Sequence, residues 1–262
     1  MRLTTARDGR PSDREAMLAL LRRAVELGVD HFDTAAYYFE GVRSANQLLG
    51  EVLRPFGDAI TLATKVGGGK DASGRWTDAA APADLRGQVE ENLRQLGRDR
   101  IDLVNLRVWG QEDITEHFKA LAELREEGLI GDLGISAAKP WHLQQALNVA
   151  PVVCVQNAYG IGASEEMHAF VDECGRQGIA FVPYFAIARS GKESGNSGQY
   201  EQQLVTMAEK YAATPAQIRL AWTLARGPHV LAIPGTGDIA HLEENLAAGA
   251  LRLDSADVSS LR

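Results

Sequence analysis

The chain has 262 residues, of which 45% are hydrophobic and 24% charged, a composition typical of folded globular proteins that excludes a disordered or fibrous one. Its 35 acidic and 27 basic residues give a formal charge of −8 without a basic run, so we expect no nucleic-acid partner. The longest hydrophobic stretches, such as residues 179–184, are far shorter than the roughly 20 residues of a membrane span. The N-terminal stretch has no hydrophobic leader, and Cys154 and Cys174 lack metal-ligand spacing, so we expect a cytoplasmic protein with no membrane segment and two buried cysteines.

Short hydrophobic runs alternate with longer amphipathic stretches, a pattern typical of parallel strands joined by helices. The predicted strands are residues 30–32, 60–63, 101–106, 129–135, 152–156, 179–182 and 230–233. The predicted helices are residues 13–27, 43–54, 83–96, 114–127, 140–148, 164–177, 200–212, 215–226 and 239–248. Glycines that follow several of the helices indicate where those helices end.

Strands and helices in this order form either an open sheet or a closed barrel. The even spacing of the strands and the lack of a GxGxxG motif after an early strand favour the barrel. We therefore predict one α/β domain, a (β/α)8 TIM-type barrel, over residues 1–262. Only residues 1–5 precede the first helix as strand candidates, so we expect the first strand to be short or missing. The Gly- and Ser-rich residues 189–199 predict a mobile loop on the catalytic face.

Polar side chains at the C-terminal ends of the strands are the candidates for an active site, because TIM-type barrels place their chemistry there. Asp33 ends one strand and Tyr38 lies in the loop beyond it, while Lys65 and Arg107 end the two strands that follow. A lysine ammonium lowers the pKa of a neighbouring phenol, and a carboxylate keeps the ammonium charged and oriented. These residues therefore predict a proton-transfer device.

Several segments resemble, in order, the aldo-keto reductase family along nearly the whole chain. They are LRRAVELGVDHFDTAAYYFEGVRSANQLLGEVL, TLATKVG, RDRIDLVNLRV, GLIGDLGIS, VCVQNAY and IPGTGDIAHLEENLAA. The Arg of IDLVNLRV, together with VCVQN and IPGT, is most similar to the bacterial pyridoxal reductase branch. The hairpin and Gly-rich first strand that open the family's fold are mostly absent, so we expect a truncated N-terminus.

The resemblance implies that Tyr38 is the general acid, that Lys65 lowers the pKa of Tyr38 and that Asp33 pairs with Lys65. The five-residue spacing between Asp33 and the acid favours Tyr38 over the adjacent Tyr37. Arg107 stands where the family usually has His, and we expect it to orient the substrate. A structural ion pair is the alternative role for Arg107.

The resemblance also implies a nicotinamide cofactor, NADPH in the first place and NADH as the alternative. The residues matched to the nicotinamide are Ser136, Gln156 and Tyr184. The residues matched to the adenosine and its 2′-phosphate are Gly235, Thr236, His241, Glu244 and Asn245. Ala137 replaces an Asn that usually contacts the carboxamide, and the carboxylate of Asp238 opposes a 2′-phosphate.

We therefore expect an oxidoreductase that reduces an aldehyde or ketone, with a pyridoxal-like aldehyde as the leading substrate. One alternative is a non-catalytic cofactor-binding or regulatory protein that keeps the barrel. Another is an aldolase or isomerase that forms a Schiff base at Lys65. No metal ligand spacing is found, and we expect a monomer or a small homo-oligomer acting on a small-molecule carbonyl substrate.

Overall fold

Helices and strands alternate along the chain in a computed structural model that describes residues 3–5, 10–40, 43–70, 75–187 and 200–262. The strands are β1 (His31–Asp33), β2 (Phe39–Glu40), β3 (Arg43–Ser44), β4 (Thr61–Val66), β5 (Ile101–Arg107), β6 (Ile130–Ser136), β7 (Cys154–Gln156) and β8 (Ala180–Phe181). The helices are α1 (Arg14–Glu26), α2 (Ala45–Leu53), α3 (Leu85–Leu96), α4 (Thr115–Glu126), α5 (Pro140–Leu147), α6 (Glu165–Arg176), α7 (Glu201–Lys210), α8 (Pro215–Leu224), α9 (Ile239–Ala247) and α10 (Ser255–Ser260). The loop predicted at residues 189–199 lies outside the described residues.

The chain divides into two compact units, of which the first spans Met1–Val155 and Gly235–Ile239. Its parallel sheet has the strand order β1-β4-β5-β6-β7. Leu62, Val104 and Leu133 on the three central strands are almost fully buried, as expected for a parallel sheet covered by helices. This sheet places the ends of β1, β4 and β5 side by side, so their terminal residues are neighbours.

The second unit spans Gln156–Pro234 and Ala240–Arg262. Phe181 of β8 pairs in parallel with Val230, and Tyr184 pairs in parallel with Ala158. The core of this unit contains Trp222, which is fully buried and stacks on Tyr159 at 5.8 Å between ring centroids. These parallel bridges extend the alternating strand and helix order beyond β7.

The structure confirms the predicted helices and shortens three of the predicted strands. Residues 152–156 form the three-residue strand β7. Residues 179–182 form only the two-residue strand β8, and residues 230–233 form a single bridge at Val230. Pro183 and Pro234 directly follow these segments, and a proline has no backbone N–H to extend a ladder. The sequence did not predict the β2–β3 hairpin or α10.

The segment before α1 contains no parallel strand among its described residues. Thr5 forms an antiparallel bridge with Pro11, and the Ser12 N–H donates to the Thr4 carbonyl at 3.0 Å. Residues 1–2 and 6–9 lie outside the described residues. Both cysteines are buried and free, as predicted, and burial raises the pKa of Cys174 to about 12. None of the helices in the described residues is long and hydrophobic enough to cross a membrane.

Candidate active site

Lys65 and Asp33 form a buried ion pair at the ends of two neighbouring strands. Asp33 of β1 is in register with Ala63 of β4, so Lys65 lies two residues further along β4 on the same face of the sheet. The Lys65 Nζ donates to Asp33 Oδ1 at 2.5 Å and to the Thr34 carbonyl at 3.0 Å. The two side chains are only 4% and 8% exposed. Both bonds occupy the Lys65 Nζ, which argues against a Schiff-base role because that chemistry needs an amine free to attack a carbonyl.

Tyr38 lies next to this pair, in the loop that follows β1. The Lys65 Nζ is 5.9 Å from the centroid of the Tyr38 ring, so a cation faces the phenol. The Tyr38 N–H donates to the Ala35 carbonyl at 3.0 Å, and the Tyr38 carbonyl accepts from the Ala45 N–H at 2.9 Å. These bonds fix the backbone of the loop on both sides of the phenol. The structure therefore brings Asp33, Tyr38 and Lys65 together as the sequence predicted.

Tyr37, the alternative acid, is buried in an aromatic row and lies beside Tyr38. Its ring packs edge-on against Tyr38 at 5.0 Å and against Trp76 at 5.1 Å between centroids. Trp76 in turn packs against Trp109 at 5.0 Å with an interplanar angle of 30°. Tyr37 is 5% exposed, and its neighbours favour a packing role.

Arg107 ends β5 and completes this row. Its guanidinium carbon lies 5.1 Å from the centroid of the Trp109 ring, a cation–π contact. Within the described part of the chain Arg107 has no ion-pair partner, and its buried Nε has no hydrogen-bond partner. This environment argues against a structural ion pair and leaves the guanidinium able to bind an anionic or carbonyl oxygen.

Asn105 is a buried polar residue on the face of β5 that also carries Arg107. The sequence assigned no role to Asn105. It is in register with Lys65 on one side and with Gly134 on the other. Asn105 is fully buried, and neither of its amide atoms has a hydrogen-bond partner among the described residues. A Cβ at Gly134 would lie 2.1 Å from Asn105 Oδ1, so only glycine leaves room for this amide. A polar residue in an otherwise hydrophobic strand is the signal that could have drawn attention to it.

Three of the predicted cofactor residues lie in the first unit. Ser136, in register with Arg107, is fully buried, and its hydroxyl has no hydrogen-bond partner among the described residues. An unpartnered buried hydroxyl fits the carboxamide that the sequence assigns to it, because buried polar groups normally have a partner. Gly235 is exposed, and the Thr236 Oγ1 accepts from the Asp238 N–H at 3.0 Å.

The other predicted cofactor residues lie in the second unit. Gln156 is 1% exposed at the end of β7. The Tyr184 N–H donates to the Asn157 carbonyl at 3.0 Å, which places Tyr184 beside the end of that strand. His241, Glu244 and Asn245 lie on α9, with His241 exposed and the other two half-buried. Their roles toward a cofactor stay predictions.

Comparison with known proteins assigns the family. The model of the aldo/keto reductase family matches residues 1–262, and the chain therefore belongs to this family of oxidoreductases. It is 38% identical over 260 residues to a pyridoxine 4-dehydrogenase of Escherichia coli (strain K12), covering 97% of this chain and 88% of that one.

Solved structures of the family share the fold. The thermostable aldo-keto reductase Tm1743, in complex with epalrestat, is 29% identical with a TM-score of 0.81, and the match covers 96% of this chain and 88% of that one. An aldo/keto reductase from Klebsiella pneumoniae, in complex with NADP and acetate, is 26% identical with a TM-score of 0.80 and coverages of 98% and 88%. The chain therefore has an α/β fold of the TIM-barrel type.

Proposed function

We propose that the protein reduces the aldehyde or ketone group of a small molecule to an alcohol with NADPH, and that Tyr38 is the general acid. The observation that carries this proposal is the buried Lys65–Asp33 pair, whose ammonium faces the Tyr38 ring. Membership of the aldo/keto reductase family supports the reaction type, and relatives from Klebsiella pneumoniae that bind NADP and NADPH support the cofactor. In this proposal the chain forms a (β/α)8 TIM-type barrel whose first strand is short or missing.

The protein's own residues move and stabilise the proton. NADPH supplies, when bound, the hydride that reduces the carbonyl carbon. Tyr38 donates its phenolic proton to the carbonyl oxygen as negative charge develops there. The Lys65 ammonium stabilises the phenolate that remains, and Asp33 orients that ammonium through its hydrogen bond.

The cofactor would be held by residues on several strand ends. We assign the carboxamide to Ser136 and Gln156 and the ring face to Tyr184. The adenosine end is assigned to Gly235, Thr236, His241, Glu244 and Asn245. The exposed carboxylate of Asp238 lies at the start of α9 and would repel a 2′-phosphate, so we expect the preference for NADPH over NADH to be small.

A pyridoxal-like aldehyde is the substrate that the row of side chains around Arg107 fits best. Trp76 and Trp109 offer flat hydrophobic faces, and the guanidinium beside Trp109 can pair with a ring phenolate. The relative named pyridoxine 4-dehydrogenase acts on an alcohol whose oxidised form at position 4 is pyridoxal.

The test measures the rate of NADPH consumption with two substrates, pyridoxal and an analogue that lacks the ring hydroxyl. A hydrogen bond to a charged group contributes about 1.5–3 kcal/mol, so we expect pyridoxal to have at least a roughly tenfold higher kcat/KM. Arg107→Leu should abolish this preference and leave turnover of the analogue, whereas the exposed control Arg252→Leu should preserve the preference.

Two outcomes would contradict the proposal. An unchanged preference in Arg107→Leu would remove Arg107 from substrate recognition. No turnover of any aldehyde or ketone by the unaltered protein would overturn carbonyl reduction and favour the non-catalytic alternative.

A further inference from the structure

A chain of buried hydrogen bonds joins the strand ends that carry Asp33 and Lys65. The Thr34 Oγ1 donates to Asn46 Oδ1 at 2.8 Å, and the Asn46 Nδ2 donates to Asn92 Oδ1 at 2.9 Å. The Thr64 Oγ1 donates to the same Asn92 Oδ1 at 2.6 Å. All four side chains are fully buried. We call Thr34, Asn46, Asn92 and Thr64 the backing network.

The backing network lies behind the proposed active site. Successive side chains of a strand point to opposite faces, so Thr64 faces away from the side that carries Lys65. Thr34 likewise is the residue next to Asp33 in the chain. Asn46 belongs to α2 and Asn92 to α3, so two helices hold the backbones of two strand ends.

The network also reaches the segment that carries Arg107. The Asn92 Nδ2 donates to the Gln88 carbonyl at 2.8 Å, and the Gln88 Oε1 accepts from the Gly67 N–H at 2.7 Å. Gly67 has a φ of +97°, and a Cβ there would lie 2.9 Å from the Arg107 carbonyl oxygen. Hydrogen bonds from Asn92 therefore branch in three directions: to the end of β1, to β4, and to the turn at Gly67, which lies close to Arg107 of β5.

We propose that the backing network positions Asp33 and Lys65 for proton transfer, and that Asn46 and Asn92 are positioning residues. Burying four polar side chains costs free energy that a hydrophobic contact between helices and strands would not cost. The network compensates this cost with bonds of defined length and direction, which hydrophobic packing does not supply. Displacing a reacting group by 1 Å can cost about a hundredfold in rate, so fixed strand ends matter for catalysis. This inference rests on the proposed function.

The experiment removes one hydroxyl at a time from each end of the network. Thr34→Val and Thr64→Val retain the shape of the side chain and delete the donor to Asn46 or Asn92. The matched control is Thr223→Val, a fully buried threonine of α8 whose Oγ1 donates to the Arg219 carbonyl at 2.8 Å. For each variant we would measure kcat and KM with pyridoxal and NADPH, NADPH binding by fluorescence, and urea unfolding.

We expect Thr34→Val and Thr64→Val each to lower kcat by about tenfold, with the KM and binding constant for NADPH unchanged. The double variant should lose less than the product of the two factors, because both hydroxyls act through Asn92. Thr34→Ser and Thr64→Ser retain the hydroxyl and should restore most of kcat. Thr223→Val should lose comparable stability and keep kcat.

A kcat in both network variants equal to that of Thr223→Val would overturn the inference. A second readout does not depend on turnover of pyridoxal. The phenolate absorbance of Tyr38, taken as the difference between each protein and its Tyr38→Phe counterpart, is followed as pH rises. Thr64→Val should move the midpoint to higher pH, because Lys65 is no longer fixed beside the phenol. A midpoint that stays in place overturns the inference even where no aldehyde is turned over.

Discussion

At the residue scale, the proposed chemistry depends on a charge pair that water does not screen. The side chains of Asp33 and Lys65 are both more than nine-tenths buried, and they form an ion pair with each other. Removing one partner of a buried pair leaves an uncompensated charge and costs about 3–5 kcal/mol. The sequence predicted this pair because two strand ends are adjacent in a parallel sheet, but it could not predict the contact with the Thr34 carbonyl.

Ala137, directly after Ser136, is a residue at which the backbone is strained. Its φ is +55°, in the left-handed region that costs a residue with a Cβ roughly 1–2 kcal/mol. We expect Ala137→Gly to raise the free energy of unfolding by about 0.5–1 kcal/mol, measured by urea titration.

The control for this prediction is Ala163→Gly, at a loop residue with a negative φ. There glycine only adds conformational freedom to the unfolded chain, so stability should fall by up to about 1 kcal/mol. Changes of the same sign in both variants would show that the backbone at Ala137 is not strained.

At the scale of elements, the helices were predictable and the polar contacts between them were not. The predicted helix bounds agree with the structure to within about two residues, because caps and glycines are local signals, as with Gly97 at the end of α3. The backing network joins Asn46 to Asn92, which are 46 residues apart in the chain. No local pattern pairs two such residues, since the pairing depends on how α2 and α3 pack on the sheet.

The contact of β6 with its two neighbouring strands depends on Gly134. A Cβ at this residue would lie 2.1 Å from Asn105 Oδ1 and 2.8 Å from the Cys154 carbonyl oxygen. We expect Gly134→Ala to lower the free energy of unfolding by about 1–3 kcal/mol, the usual cost of overpacking, in a urea titration.

Gly87, an exposed residue of α3, provides the matched comparison. A Cβ there would meet no atom within 4 Å, so Gly87→Ala should stabilise the protein by about 0.5–1 kcal/mol through helix propensity. A Gly134→Ala variant as stable as Gly87→Ala would show that β5, β6 and β7 have room for the methyl group.

At the scale of the whole molecule, burial lowers the pKa of three histidines, His31, His142 and His168. His142 Nδ1 accepts from the Lys139 N–H at 3.0 Å, a bond that the neutral imidazole makes and the protonated ring cannot. His168 is fully buried, and its Nδ1 lies 2.8 Å from the Tyr159 hydroxyl. Because its pKa is lower in the folded chain, each ring binds a proton more readily in the unfolded chain.

The free energy of unfolding should therefore depend on pH in a defined direction. The contribution of these rings is fully present above about pH 6.5, the ordinary pKa of histidine, and is lost as pH falls toward their lowered folded values. His168→Gln should reduce the slope of stability against pH below that value, measured by urea unfolding at a series of pH values. A slope equal to that of the unaltered protein would contradict a neutral His168 in the folded state.

The central claim, that Tyr38 protonates the substrate, has one direct measurement: the rate of NADPH consumption with pyridoxal in the unaltered protein and in Tyr38→Phe. The account predicts a kcat lower by about 10²- to 10⁴-fold in Tyr38→Phe, with NADPH binding by fluorescence unchanged, because only the proton donor is removed. The adjacent variant Tyr37→Phe should retain kcat. A Tyr38→Phe protein that turns over pyridoxal at the rate of the unaltered protein would contradict the account.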